Sequence, residues 1–258
     1  MNYIITKEEN NVLTVSLNRP EVHNAMNPEL IAGLTKVFEE AGQDKNIRAI
    51  VLKGEGKSFC AGADLNYMKE IAGYGFEENY RDGLRLAALF RTIYECPKPV
   101  IALIHGAVFG GANGLVAAAD IVLAEEKTVF AFSEVKLGII PATIAPFVIK
   151  KTGEFAAKDL MMTGRRFGVQ EAIHYRLINA FLPKEQLEEH LAQIIDQLKT
   201  SAPEAVQETK KLIRYIMEHN DMETIIEKTA KWIAERRASA EGQEGMAAFL
   251  EKRKPQWY

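Results

Sequence analysis

Cysteine is scarce in this 258-residue chain: Cys60 and Cys96 are the whole supply. Two thiols in unrelated contexts exclude a disulfide framework and a multi-cysteine zinc site. The five histidines (His23, His105, His174, His190 and His219) show no close ligand spacing, so no metal is expected. A basic excess is missing too. The formal net charge is −3, which leaves no electrostatic footprint for nucleic acid. The one dense basic stretch, Glu251-Lys252-Arg253-Lys254, reads as a solvated helix end whose cations complement the dipole. No apolar run reaches the roughly 18 residues of a membrane span. The opening Met1-Asn2-Tyr3-Ile4-Ile5 runs into a strand-like pattern without signal character, and the expectation is a cytoplasmic protein.

What is present is an ordinary globular composition, 47% apolar and 26% charged, enough for one sizeable core. Two strands open the chain, near Tyr3–Glu8 and Val12–Leu17. Asn27-Pro28 pairs a capping side chain with a proline suited to the first helical turn, and that helix is expected to run to about Ala41. Arg48–Lys53 reads as a buried strand, Glu77–Tyr94 as an amphipathic helix and Val100–Ile104 as another buried strand. Strands are expected near Ile121–Ala124 and Val129–Ala131. From Pro203 the pattern turns to nearly continuous helix over Ala205–His219, Met222–Arg237 and Gly242–Lys252. A soft boundary falls near residue 200. The strand-strand-helix pattern recurs without a fixed period.

Three stretches carry chemistry. In Ser58–Leu65 a small-residue loop feeds a helix start capped by Asp64, leaving unpaired backbone N–H groups that a ligand carbonyl can approach. By itself this is equally a capped loop. In Ile104–Leu115 a strand passes through Gly110-Gly111 into a small-residue helix, where free amides favour an anion or oxyanion. There is no Walker lysine and no GxGxxG, so a nucleotide is weakly supported, and close glycine packing is the other reading. In Phe130–Pro141, Glu134 sits among apolar residues. Desolvation there raises a carboxyl pKa towards proton transfer near neutrality, although a lone glutamate is more often a structural partner.

Together these stretches resemble the enoyl-CoA hydratase/isomerase (crotonase) family over essentially the whole chain. Leu17-Asn18-Arg19-Pro20, His23-Asn24-Ala25-Met26, Lys98–Ala102, Leu160–Arg166 and Phe249–Lys254 add to the likeness. The resemblance implies an α/β fold, a spiral of ββα units with a C-terminal helical region. Residues 1–200 would form the core that binds and converts an acyl-CoA, and 201–258 an oligomerisation region for a homotrimer or a hexamer of two trimers. It implies that the amides of Ala63 and Gly111 form an oxyanion hole and that Glu134 is the acid/base. His23, Asn24, Ala25, Ala61, Asp64, Leu65, Asn66 and Gly110 would line the CoA and acyl site, and Phe249 and Lys252 would reach a CoA, including one on a neighbouring subunit. No cofactor is implied, CoA being part of the substrate.

One departure stands out. Two-carboxylate hydratases carry a second glutamate at the position that here is Gly114, and a glycine there is expected to leave room for a branched, carboxylated acyl group. With Phe59–Lys69 (FCAGADLNYMK) and Glu134–Thr143 (EVKLGIIPAT), it brings the chain nearest to bacterial methylglutaconyl-CoA hydratases of leucine breakdown. A Δ3,Δ2-enoyl-CoA isomerase or a decarboxylase using the single glutamate is the catalytic alternative. An acyl-CoA-binding scaffold is the non-enzymatic one.

Overall fold

The computed structural model describes residues 3–258, so Met1 and Asn2 lie outside the described part. A six-stranded sheet organises the chain. Its strands are β1 (Ile4–Glu9), β2 (Val12–Leu17), β3 (Ala49–Gly54), β4 (Val100–Ile104), β6 (Ile121–Glu125) and β9 (Ala180–Leu182). They lie in the order β1-β2-β3-β4-β6-β9; β1 runs antiparallel to β2 and every later neighbour is parallel. Parallel strands covered on both faces need apolar residues at nearly every position, which is why β3 and β4 read as unbroken hydrophobic runs.

Alternation along these strands divides the interior in two. Val15, Leu17, Ile50, Leu52, Val100, Ala102, Ile104 and Val122 point into the main core beneath α1 (Pro28–Gln43), α3 (Phe76–Glu95) and α4 (Ala112–Ala118). Val12, Val51, Ile101, Leu103 and Leu123 face the other way, against Leu187 and Leu191 of α7 (Lys184–Thr200). Asn27 caps α1 through Leu30 N–H, as its sequence position suggested.

A second, smaller sheet contains β5 (Ala107–Phe109), β7 (Val129–Ala131) and β8 (Arg166–Gly168). β4 and β6 each lead to a small-sheet strand and then a helix: β4-β5-α4, then β6-β7-α5, with α5 spanning Ala145–Thr163. Bridges Cys60↔Val108 and Met26↔Ala63 extend this inner ladder back to the earlier turns. The repetition is structural rather than a repeated sequence, because only the alternation of strand and helix recurs. After β8 come α6 (Val169–His174), β9 and α7. Helices α8 (Pro203–Glu218), α9 (Met222–Ala238) and α10 (Ala240–Leu250) complete the chain. No helix among the described residues is long and apolar enough to cross a membrane.

Candidate active site

The inner ladder places three loops side by side. They approach closely at Gly62, whose φ of +98° is open to glycine and whose missing Cβ would lie 2.9 Å from Phe109 O. Met26 is wedged beneath. Its N–H donates to Gly62 O at 2.7 Å, its carbonyl accepts from Asp64 N–H at 2.9 Å, and its Cε would touch a Cβ placed on Gly111.

Two amides emerge from this packing without a partner. In a trans peptide the N–H points opposite to the preceding C=O. Gly62 O is held by Met26, so the N–H of Ala63 faces the open side. Gly110 O accepts from Asn113 N–H at 3.0 Å, so the N–H of Gly111 is likewise turned outward. Among the described residues neither the Ala63 nor the Gly111 amide makes a hydrogen bond. Ala63 is exposed and Gly111 half-buried, so both donors are within reach of a ligand. Because α4 has only seven residues, its individual free amide matters more here than its dipole.

Glu134 completes the group. It follows β7 on a short 3-10 turn, Ser133–Leu137, and its Oε1 lies 3.5 Å from where a Cβ on Gly110 would stand. Gly110 has φ +52°, a left-handed turn that presents Gly111 beside the carboxylate. Oε2 is buried without a hydrogen-bond partner among the described residues. Burial pushes the Glu134 carboxyl above its ordinary range, partly opposed by a hydrogen bond from its own backbone. A half-buried carboxyl with one oxygen unpaired, beside two free amides, can exchange a proton next to a carbonyl whose charge those amides hold.

The loop around this group is rigid for reasons the sequence showed only in fragments. His23 and Asn24 both adopt left-handed backbone (φ 54° and 55°). Asn24, fully buried, accepts from Arg19 N–H at 2.8 Å and donates to Glu55 O and Ser58 O, each at 2.8 Å. Arg19 Nη1 donates to Ala25 O, and its Nη2 pairs with Asp64 Oδ2 at 2.9 Å. Asp64 also caps α2 (Leu65–Ile71) through Asn66 and Tyr67 N–H. Burial pushes the Asp64 carboxyl up, but these hydrogen bonds outweigh it and hold the group below the usual carboxylate range. The side chains of Asn24 and Asp64 are thus committed to the loop. His23, exposed, has Nδ1 3.1 Å from Ser58 Oγ, and its carbonyl accepts from Ala61 N–H at 3.0 Å. Leu65 and Asn66 stand exposed beside Ala63.

Two expected residues are not brought to this cluster by the single chain: Phe249 and Lys252 lie exposed at the end of α10, which packs on α8 and α9. Cys60, next to the loop, is a packing residue, its thiol pushed up to about 12 by burial.

The expectation of room at Gly114 is corrected. A Cβ on Gly114 would stand 2.6 Å from Ile144 Cγ2 and 2.6 Å from Phe90 Cζ. Phe90 is fully buried and packs edge-on against Phe147 at 6.1 Å, so an aromatic ring already fills the space a side chain would have left. Gly114→Glu is therefore expected to destabilise the fold by roughly 1–3 kcal/mol or more, as overpacked cores do, and to add no hydration activity. Thermal unfolding of the variant against the parent measures the first, and a crotonyl-CoA assay the second. An unchanged melting temperature with a gain in activity would show that the ring yields.

Comparison with known proteins identifies the family. The family model described as enoyl-CoA hydratase/isomerase matches residues 7–258. The chain belongs to the enoyl-CoA hydratase/isomerase family. The solved structure of an enoyl-CoA hydratase from Shewanella pealeana superposes with a TM-score of 0.96 at 37% identity, covering 99% of this chain and 96% of that one. The short-chain-enoyl-CoA hydratase of Clostridium acetobutylicum is 30% identical over 256 residues, 98% of this chain and 97% of its own. A mevalonyl-coenzyme A hydratase of Aspergillus fumigatus is 30% identical over 248 residues, 95% of this chain and 91% of its own. The crotonase fold expected from the sequence is the fold observed, and the protein is an enzyme of the enoyl-CoA hydratase type.

Proposed function

We propose that this hydratase adds water to a branched, carboxylated enoyl-CoA, 3-methylglutaconyl-CoA, in cytoplasmic leucine breakdown. The observation that carries the reading is one carboxyl, Glu134, beside two free amides, with the neighbouring position 114 closed by Phe90 and Ile144. The thioester oxygen accepts from the amides of Ala63 and Gly111. Glu134 takes a proton from water as its oxygen bonds to the β-carbon, and returns a proton to the α-carbon as the enolate collapses. The carboxylate carried by the substrate supplies the water-orienting charge that a second glutamate provides elsewhere. Nothing in this sequence of steps needs a metal or redox cofactor. The substrate preference rests on the likeness of Phe59–Lys69 and Glu134–Thr143 to methylglutaconyl-CoA hydratases, since the room once expected at Gly114 is filled.

Large apolar side chains left exposed on α8 to α10 (Ile213, Met217, Met222, Ile226, Phe249 and Leu250) support assembly of residues 201–258 into a homotrimer or a hexamer. In such an assembly Phe249 and Lys252 reach a neighbour's CoA.

Purified protein given 3-methylglutaconyl-CoA and crotonyl-CoA, with loss of the conjugated double bond followed by absorbance, tests the substrate. The expected kcat/KM is at least about tenfold higher for the branched acid, in line with one charge-assisted contact. Migration of a 3-enoyl double bond with no hydration of either compound would replace this reading with an isomerase. Binding of both without turnover would make the protein a scaffold.

A further inference from the structure

Asn113 stands out among the residues that the proton-transfer chemistry does not use. It is fully buried inside α4, whose other members are alanine, glycine, leucine and valine. Its Nδ2 lies within hydrogen-bond distance of three backbone carbonyls: Ala131 at 3.0 Å, Gly110 at 3.1 Å and Val108 at 3.3 Å. Its Oδ1 is buried with no partner among the described residues. The orientation of the amide follows from these neighbours. Exchanging oxygen for nitrogen would point an acceptor at three other acceptors, so the donor end faces the carbonyls and the acceptor end is left over.

We infer that Asn113 is a positioning residue that aims the Gly111 amide and fixes it relative to Glu134. The inference rests on the Ala63 and Gly111 amides being the oxyanion hole. Gly110 O and Gly111 N–H belong to one planar peptide, so holding the carbonyl fixes the direction of the donor on its far side. Gly110 itself sits at φ +52°, where the glycine backbone is free to move unless something holds it. The same side chain grips Ala131 O, which also accepts from Gly110 N–H at 2.9 Å. Ala131 ends β7, three residues before Glu134. One buried amide therefore joins strand β5, the turn that carries the donor and the strand that leads to the carboxyl. An apolar residue of similar size would fill the space and leave all three carbonyls without this donor.

The test uses the full-length protein and the variants N113A, N113L and N113S. A non-reacting conjugated acyl-CoA is bound to each, and the shift in carbonyl stretching frequency on binding reports how strongly the amides polarise the thioester. The parent is expected to lower that frequency, and N113A and N113L to lose most of the effect while their dissociation constants for the same compound change less than about threefold. In turnover, kcat falls at least tenfold with KM little moved, because the lost contact acts on the charge that develops in the transition state. N113S, keeping one donor, recovers part of both. A full frequency shift in folded N113A or N113L, or kcat falling only in proportion to the folded fraction seen by calorimetry, overturns the inference. If neither of these folds, N113S decides alone: unchanged kcat and shift count against the inference. Absence of any shift in the parent counts against the oxyanion hole itself, a separate failure.

Discussion

Glu134→Gln is expected to lower kcat on the preferred enoyl-CoA by about 10²–10⁴-fold, the range for losing a positioned general acid–base. Glutamine keeps the size and shape of the side chain but neither takes nor delivers a proton. Since Glu134 is brought to the site by the turn after β7 and its carboxyl bonds only to its own backbone, not to another segment, the fold has no reason to suffer. Stability should move the other way. Burial raises the folded pKa of this carboxyl above its ordinary range, so ionising it in the folded protein is disfavoured. The penalty is present above the folded pKa and vanishes as the pH falls below the unfolded value. The variant should thus melt above the parent near pH 7, with the difference closing towards pH 4. In the parent, the acid limb of kcat/KM should lie above the ordinary carboxyl range, because the carboxylate is the form that accepts water's proton. A variant with unchanged kcat would remove Glu134 from the chemistry.

The elements of the fold were legible because each announced itself locally. The unbroken apolar runs of β3 and β4 can only be strands covered on both faces, and Asn27-Pro28 and Asp64 mark helix starts by side chains that do cap. The positions of the two free amides, Ala63 and Gly111, were legible through glycine and small side chains at loop-to-helix junctions. What could not be read locally were relations between distant segments. Arg19 and Asp64, 45 residues apart, meet as a buried ion pair that holds the His23–Asn24 turn against the Gly62–Ala63 loop, and nothing in either neighbourhood points to the other. Gly114 suggested open space because a glycine names only its own missing side chain; Phe90, from another helix, is what fills it. Asn113 was in plain view within the Gly110–Leu115 stretch. A single polar residue in a small-residue helix has no periodic signature, and its three carbonyl partners appear only when β5 and β7 lie side by side.

Removal of the Ala63 N–H is the second large effect, and it separates charge stabilisation from proton transfer. Ala63→Pro deletes the one donor, and since that amide has no partner among the described residues, no structural hydrogen bond goes with it. Replacing the Gly62–Ala63 amide by an ester, made by semisynthesis, removes the same hydrogen without the ring and controls for any effect of proline on the backbone. Both should lower kcat by about 10²–10³-fold, equivalent to roughly 2.7–4 kcal/mol, as loss of one oxyanion donor does in comparable sites. The pH profile should keep the position of its acid limb, because the amide does not titrate and Glu134 keeps its surroundings. That is the opposite pattern to Glu134→Gln, where the limb itself disappears. Combining the two changes should cost less than the product of the separate losses, since an enolate that is poorly stabilised gains little from a well-placed proton donor. If the ester variant retained full activity with folding intact, the charge would have to be held by Gly111 alone, and the pairing of the two loops through Met26 would need another purpose.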